Sequence, residues 1–181
     1  MKQFYMDTNV FISRLKPDDP FFAEAKKIAK AIEKGEVRAE TSVLTLLEVA
    51  SVSGRVFSAR KEKHEQEDRQ RKVFIVRALK RLARTKTKLI NMAGDTPISI
   101  RGIDAVLPSI FDEAILLSLR TNLRSLDLIH LAAARNGKRT NGELGAFVTG
   151  DHAFLSNKKE IAETIGMPVL SPKEYVEGLG L

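Results

Sequence analysis

Residues 3–12, QFYMDTNVFI, set the reading of the chain: Gln3 to Met6 form a short strand that stops at an acid, Asp7. An acid placed directly after a strand stands at the carboxyl edge of a parallel sheet, where α/β folds keep their sites. Outward from there, Asp19-Pro20 supplies a cap and a first-turn proline for a helix running to about Lys34, which Gly35 ends. Val37 to Glu40 reads as a second strand. Ser42 then caps a helix over Val43 to Val52 whose residues are apolar almost all round, so that helix is expected to be buried. Lys88 to Met92 reads as a strand, whereas 96–107 (TPISIRGIDAVL) has no decided pattern. Helices follow over Pro108 to Leu119 and over Ser125 to Arg135, the second capped by Ser125 and ended by Asn136-Gly137. Leu144 to Thr149 is a strand stopping at Gly150-Asp151, and Lys158 to Ile165, Pro168 to Leu170 and Pro172 to Val176 make an α-β-α ending. Strands alternating with helices predict an α/β fold with a mainly parallel sheet.

The 181 residues suit one domain, and 43% hydrophobic with 29% charged residues excludes disordered, collagen-like and low-complexity chains. No apolar run is long enough to span a bilayer, and the N-terminal residues are polar where a signal peptide needs an apolar stretch, so a cytoplasmic protein is expected. With no cysteine there is no disulfide and no thiolate zinc site; any metal must be held by oxygen or imidazole.

Charge is concentrated in one segment. Residues 55–88 carry 13 Lys and Arg against 4 Asp and Glu, a local +9 that leaves the rest of the chain at −2 within a total of +7. Residues 60–72 (RKEKHEQEDRQRK) hold no apolar side chain and predict an exposed helix. It continues into an amphipathic stretch with Ile75, Val76, Leu79, Leu82 and Ala83 on one stripe and Arg77, Lys80, Arg81 and Arg84 opposite. Such a cationic face is either simply solvated or holds a phosphate backbone.

Four acids occupy unexpected places. Besides Asp7, Glu48 is the lone charge between Thr41 and Gly54, Asp127 is the lone carboxylate of SLDLIHLAAAR in the first turn of a helix, and Asp151 ends the strand in AFVTGD. Each alone has an ordinary explanation as a turn former, a helix-start anion or a paired acid. Brought together they repel, by roughly 4 kcal/mol for like charges about 4 Å apart at an effective dielectric of 20. A convergent cluster therefore needs a cation, and oxygen-only ligands suit Mg²⁺ or Mn²⁺, the ions of phosphoryl chemistry. His130, one turn after Asp127, reads as a packed, hydrogen-bonded histidine rather than a catalytic one; His64 reads as solvated, and His152 stands beside Asp151.

In order and context these motifs resemble the PIN-domain ribonucleases, which include the toxin half of many prokaryotic toxin–antitoxin pairs. Asp7 in MDTNVFI, Glu48 in TSVLTLLEVAS, Asp127 in SLDLIHLAAA and Asp151 in FVTGDHAF are similar to the family's four acids, and SPKEYV from Ser171 to its usual ending. The resemblance implies a three-layer α/β/α fold with a parallel sheet of about four or five strands, and one pocket holding all four acids. It implies Mg²⁺- or Mn²⁺-dependent RNA cleavage, with Asp7, Glu48, Asp127 and Asp151 binding metal while Thr8, Asn9 and Thr149 hold acids and water in place. It also implies an antitoxin partner and a homodimer, to which the helices at 43–52 and 108–119 contribute. The match does not extend over residues 55–107, which read as a basic, largely helical insertion within a single domain, 1–181, with Arg77, Lys80, Arg81 and Arg84 as its nucleic-acid-binding residues. Two alternatives stand beside this reading: a non-catalytic RNA- or protein-binding module, and a housekeeping RNA-processing nuclease. A haloacid-dehalogenase-type phosphatase needs a second acid two residues after Asp7, where this chain has Asn9.

Overall fold

The computed structural model describes residues 2–58, 67–90, 94–100 and 103–180. Five parallel strands form the central sheet: β1 (Lys2–Met6), β2 (Val37–Ser42), β3 (Lys88–Ile90), β6 (Leu144–Val148) and β7 (Val169–Leu170), in spatial order β3-β2-β1-β6-β7. The helices are α1 (Thr8–Ser13), α2 (Phe22–Lys34), α3 (Leu44–Ser58), α4 (Glu67–Arg84), α5 (Ser109–Ser118), α6 (Ser125–Asn141), α7 (His152–Ser156), α8 (Lys158–Ile165) and α9 (Pro172–Leu179). A separate antiparallel pair, β4 (Asp95–Ile100) and β5 (Ile103–Pro108), packs against α5.

The two central strands, β1 from Phe4 on and β6, are apolar on both faces because both faces are covered. Phe4, Met6, Ala146 and Val148 point into a core shared with α2, α4 and α9, while Tyr5 and Phe147 point into a second core built on α5, α6 and α8. The Tyr5 and Phe147 rings stack at 5.1 Å between centroids, tying the two central strands together on that face. This is the expected three-layer α/β/α architecture.

The chain order reverses between β1 and β6. β2 and β3 lie on one side of β1 and β6 and β7 on the other, which opens a crevice beyond the carboxyl ends of the two central strands. Asp7 and Asp151 both leave the sheet at that crevice.

Several expectations are corrected. α3 is not buried all round: Thr45, Val49 and Ser53, at helical spacing, turn inward, while Val43 before the helix and Leu46 and Leu47 within it are exposed. The inward side buries small or polar residues at close range and leaves large apolar ones outside. On α4 the inner stripe is Ile75, Ala78, Leu79 and Leu82; Val76 and Ala83 face out. α2 starts at Phe22, two residues after Pro20, since Asp19 Oδ1 accepts from Phe21 N in the turn before it. Ser125 opens α6 without capping it, the N-cap position being Arg124, and α6 runs through Asn136-Gly137 to a left-handed cap at Gly142. Gly137 is there for clearance: a Cβ would come within 2.8 Å of Ile90 Cδ1 and of Leu144 Cδ1.

Residues 55–107 hold the end of α3, then α4, β3 and the β4–β5 pair. β3 completes the main sheet beside β2, and Ala78 and Leu82 of α4 lie in the core. Residues 60–66 of the expected charged helix, with His64, and 91–92 of the expected strand lie outside the described residues.

Candidate active site

Asp7 follows β1 and is 3% exposed. It is fixed by the strand next to it: Asp7 N donates to Val148 O (3.0 Å), and Thr149 Oγ1 donates to Asp7 Oδ2 at 2.7 Å. Asn9 Nδ2 donates to Asp7 Oδ2 (3.0 Å) and reaches Asp151 Oδ2 (3.4 Å), so one amide spans the two acids. Asp151 is set by its own turn: its N–H donates to Thr149 Oγ1 (3.0 Å), and its Oδ1 accepts from Ala153 N (2.7 Å) as the cap of α7. Thr149 thus serves both acids through one hydroxyl, donating to Asp7 and accepting from Asp151.

Glu48 and Asp127 arrive on helices. Glu48, on α3, is partly buried, and its Oε2 lies 2.7 Å from His130 Nε2. His130 is itself buried on α6, with Nδ1 2.7 Å from the Tyr5 hydroxyl. A carboxylate only accepts, so Nε2 carries a proton toward Glu48, and in the neutral ring Tyr5 donates to Nδ1. This is the packed, hydrogen-bonded histidine expected, and it holds Glu48 in a fixed orientation. Thr8 Oγ1 donates to Thr45 Oγ1 (2.9 Å), which lies 2.7 Å from Thr41 Oγ1, a hydroxyl chain pinning the start of α3 to β2. Asp127 sits in the first turn of α6.

All four acids line one cavity of about 770 Å³, together with Thr8, Asn9 and His130. Burial pushes the Asp7 carboxyl above the ordinary aspartate range, against the charge of His130 and the Thr149 hydrogen bond, and the Glu48 charge adds to the rise. Burial, then the charges of Asp151 and Asp7, likewise raise Asp127. Burial pushes Glu48 up too, but the hydrogen bond and charge of His130 outweigh it, and its carboxyl lies below the usual range. Burial lowers His130, and the Glu48 hydrogen bond with the Asp7, Glu48 and Asp127 charges reverses this, leaving the imidazole raised.

Among the described residues, no Lys or Arg side chain forms an ion pair with any of the four acids; His130 is the lone basic partner, on Glu48. Nor do three or more described His, Asp or Glu side chains already stand together as a ready-made metal cage. The donor set still fits a hydrated divalent ion: hard carboxylate oxygens, mutually repelling, with no described Lys or Arg ion-paired to them.

The remaining expected residues lie elsewhere. Arg77, Lys80, Arg81 and Arg84 are exposed on α4 and do not line the cavity. His152 is exposed, with Nδ1 3.1 Å from Ser156 Oγ on its own helix. Two arginines that sequence reading passed over, Arg55 and Arg124, do line the cavity. Neither stands out as a site residue in the sequence; the available signal was spacing, Arg55 two turns after Glu48 and Arg124 one turn before Asp127.

No family model matches the chain, and no solved structure matches it. Over 46 residues the chain is 54% identical to Ribonuclease VapC47 of Mycobacterium tuberculosis (strain CDC 1551 / Oshkosh), a stretch covering 25% of this chain and 32% of that protein. The chain thus spans about a third of the relative it matches, and the partial similarity points toward the VapC type of PIN protein.

Proposed function

We propose that this protein is a divalent-metal-dependent endoribonuclease of the PIN type, acting as the toxin of a toxin–antitoxin pair. The observation that carries the proposal is the convergence of Asp7, Glu48, Asp127 and Asp151, from four separate elements, on one cavity with no Lys or Arg paired to them among the described residues. The short identity to a VapC ribonuclease supports the same reading.

Asp7, Glu48, Asp127 and Asp151 would hold the ion. Bound there, Mg²⁺ or Mn²⁺ supplies the charge that offsets the developing negative charge at phosphorus and lowers the pKa of water. The chain's own work is positional. Thr149 and Asn9 keep Asp7 and Asp151 at one spacing, and His130, braced by Tyr5, keeps Glu48 turned to the cavity. Arg77, Lys80, Arg81 and Arg84 on α4 attract the RNA backbone at longer range. An antitoxin protein restrains the enzyme, and two copies of the chain associate through the exposed apolar residues of α3 and α5.

Labelled RNA incubated with Mn²⁺, with EDTA, and with the Asp7→Asn protein tests this. Cleavage should require Mn²⁺ and fall about 100-fold or more on substitution. Cleavage indifferent to both EDTA and Asp7→Asn overturns the proposal, and salt-sensitive binding without cleavage replaces it with a non-catalytic RNA-binding module. Growth arrest on expression separates a toxin from a housekeeping RNA-processing nuclease.

A further inference from the structure

The cavity holds a second uncompensated set of charges. Arg55 and Arg124 line it along with the four acids. Each is built into an element that also delivers an acid: Arg55 follows Glu48 by seven residues and so shares its face of α3, and Arg124 is the N-cap residue of α6, three residues before Asp127. Both side chains are exposed, and neither forms an ion pair or side-chain hydrogen bond among the described residues. The protein does pair acids with bases where charge balance is the purpose: Arg135 with Glu113 at 2.7 Å, Lys88 with Glu40 at 2.9 Å. In the cavity the one acid–base pair among the described residues is His130 with Glu48, at 2.7 Å. Among the described residues, Asp7, Asp127 and Asp151 without an ion-paired cation and two guanidiniums without an ion-paired anion line the same space, and a ligand that satisfies both is a phosphate chain arriving with a divalent ion. An acidic protein segment would satisfy the arginines and leave the carboxylates repelling one another.

We propose that Arg55 and Arg124 form a two-point clamp for the RNA backbone phosphates next to the one held at the carboxylates. The planar guanidinium fork suits bidentate contact with phosphate oxygens. This rests on the metal-dependent ribonuclease reading and adds where the strand is gripped. The clamp acts at the cavity, whereas the α4 row, outside it, acts only on longer RNA.

The test uses the full chain, a fluorescent single-stranded RNA with Ca²⁺ for binding, and a tetranucleotide with Mn²⁺ for cleavage. For Arg55→Gln/Arg124→Gln we expect RNA affinity to fall about 10-fold or more at low salt, with the slope of log K against log [KCl] shallower by about 1.4, two single-strand contacts' worth. Tetranucleotide cleavage should fall through a raised KM. Arg55→Lys/Arg124→Lys should keep the slope and recover part of the affinity. Arg77→Gln/Lys80→Gln/Arg81→Gln/Arg84→Gln should weaken binding of long RNA. A wild-type slope and KM in the Gln pair, with the wild type cutting normally, overturns the clamp alone. A wild type that neither binds nor cuts RNA overturns the clamp and the ribonuclease reading together.

Discussion

Asp7 carries the charge that the fold tolerates least. It is nearly enclosed, its carboxyl is raised by burial, and no cation of the chain sits on it among the described residues. Asp7→Asn removes that cost while keeping an oxygen for Thr149. In EDTA the variant should therefore be more stable than the wild type, by about 1 kcal/mol or about 3 °C in Tm for a chain of this size. With Mn²⁺ at about a hundred times its Kd, the wild type should gain about 2.7 kcal/mol, and the variant much less. Differential scanning calorimetry reads both; a variant less stable than wild type in EDTA contradicts the assignment of cost. The acids were legible in the sequence because each stands where a charge is out of place, after a strand or alone in an apolar helix. Arg55 and Arg124 carry ordinary surface charge, and folding is what brings them to the acids. The bond from His130 to Glu48 joins residues 82 apart and leaves no trace in local pattern.

Elements differ in how much of their geometry is local. α9 is written almost entirely in its first residues: Ser171 Oγ accepts from Glu174 N, and Glu174 Oε2 accepts from Ser171 N, with Pro172 in the first turn. The hydrogen bond from Lys158, then that from the Ser171 backbone, lowers the Glu174 carboxyl to about 2. A depressed carboxyl adds stability above its unfolded pKa, and that stability fades as pH falls toward 2. Glu174→Gln should therefore lower Tm near neutrality and converge with the wild type in strong acid. The difference stays small because the side chain is two-fifths exposed.

α6 shows the opposite case. Asn136-Gly137 reads as a stop, yet the helix passes through because Gly137 lies against Ile90 and Leu144, contacts from other elements. Propensity alone says Gly137→Ala should stabilise by about 1 kcal/mol. The two 2.8 Å contacts with core side chains should turn this into a net loss of about 1 kcal/mol, measurable by urea denaturation. The β4–β5 pair was illegible for a related reason: it joins no strand of the main sheet, and Val106 within it is exposed.

Across the whole molecule, the surface retains apolar side chains too large to be incidental. Val43, Leu46 and Leu47 around the start of α3, and Phe111, Ile115 and Leu116 on α5 with Leu119 just beyond it, are all exposed. If two copies associate through these helices, Leu116→Asp/Leu119→Asp should yield a monomer in sedimentation equilibrium with its Tm little changed. A wild type that sediments as a monomer removes the homodimer from the proposal. No helix among the described residues is long and apolar enough to cross a membrane.

The adjacency of β1 and β6 has a consequence for how the chain is made. Asp7 is made some 140 residues before the strand that anchors it through Val148 and Thr149. Until then β1 offers a bare edge and the pocket lacks a wall. A product cut short before β6 accordingly keeps Asp7 without its anchors and an unpaired β1 edge open to clumping.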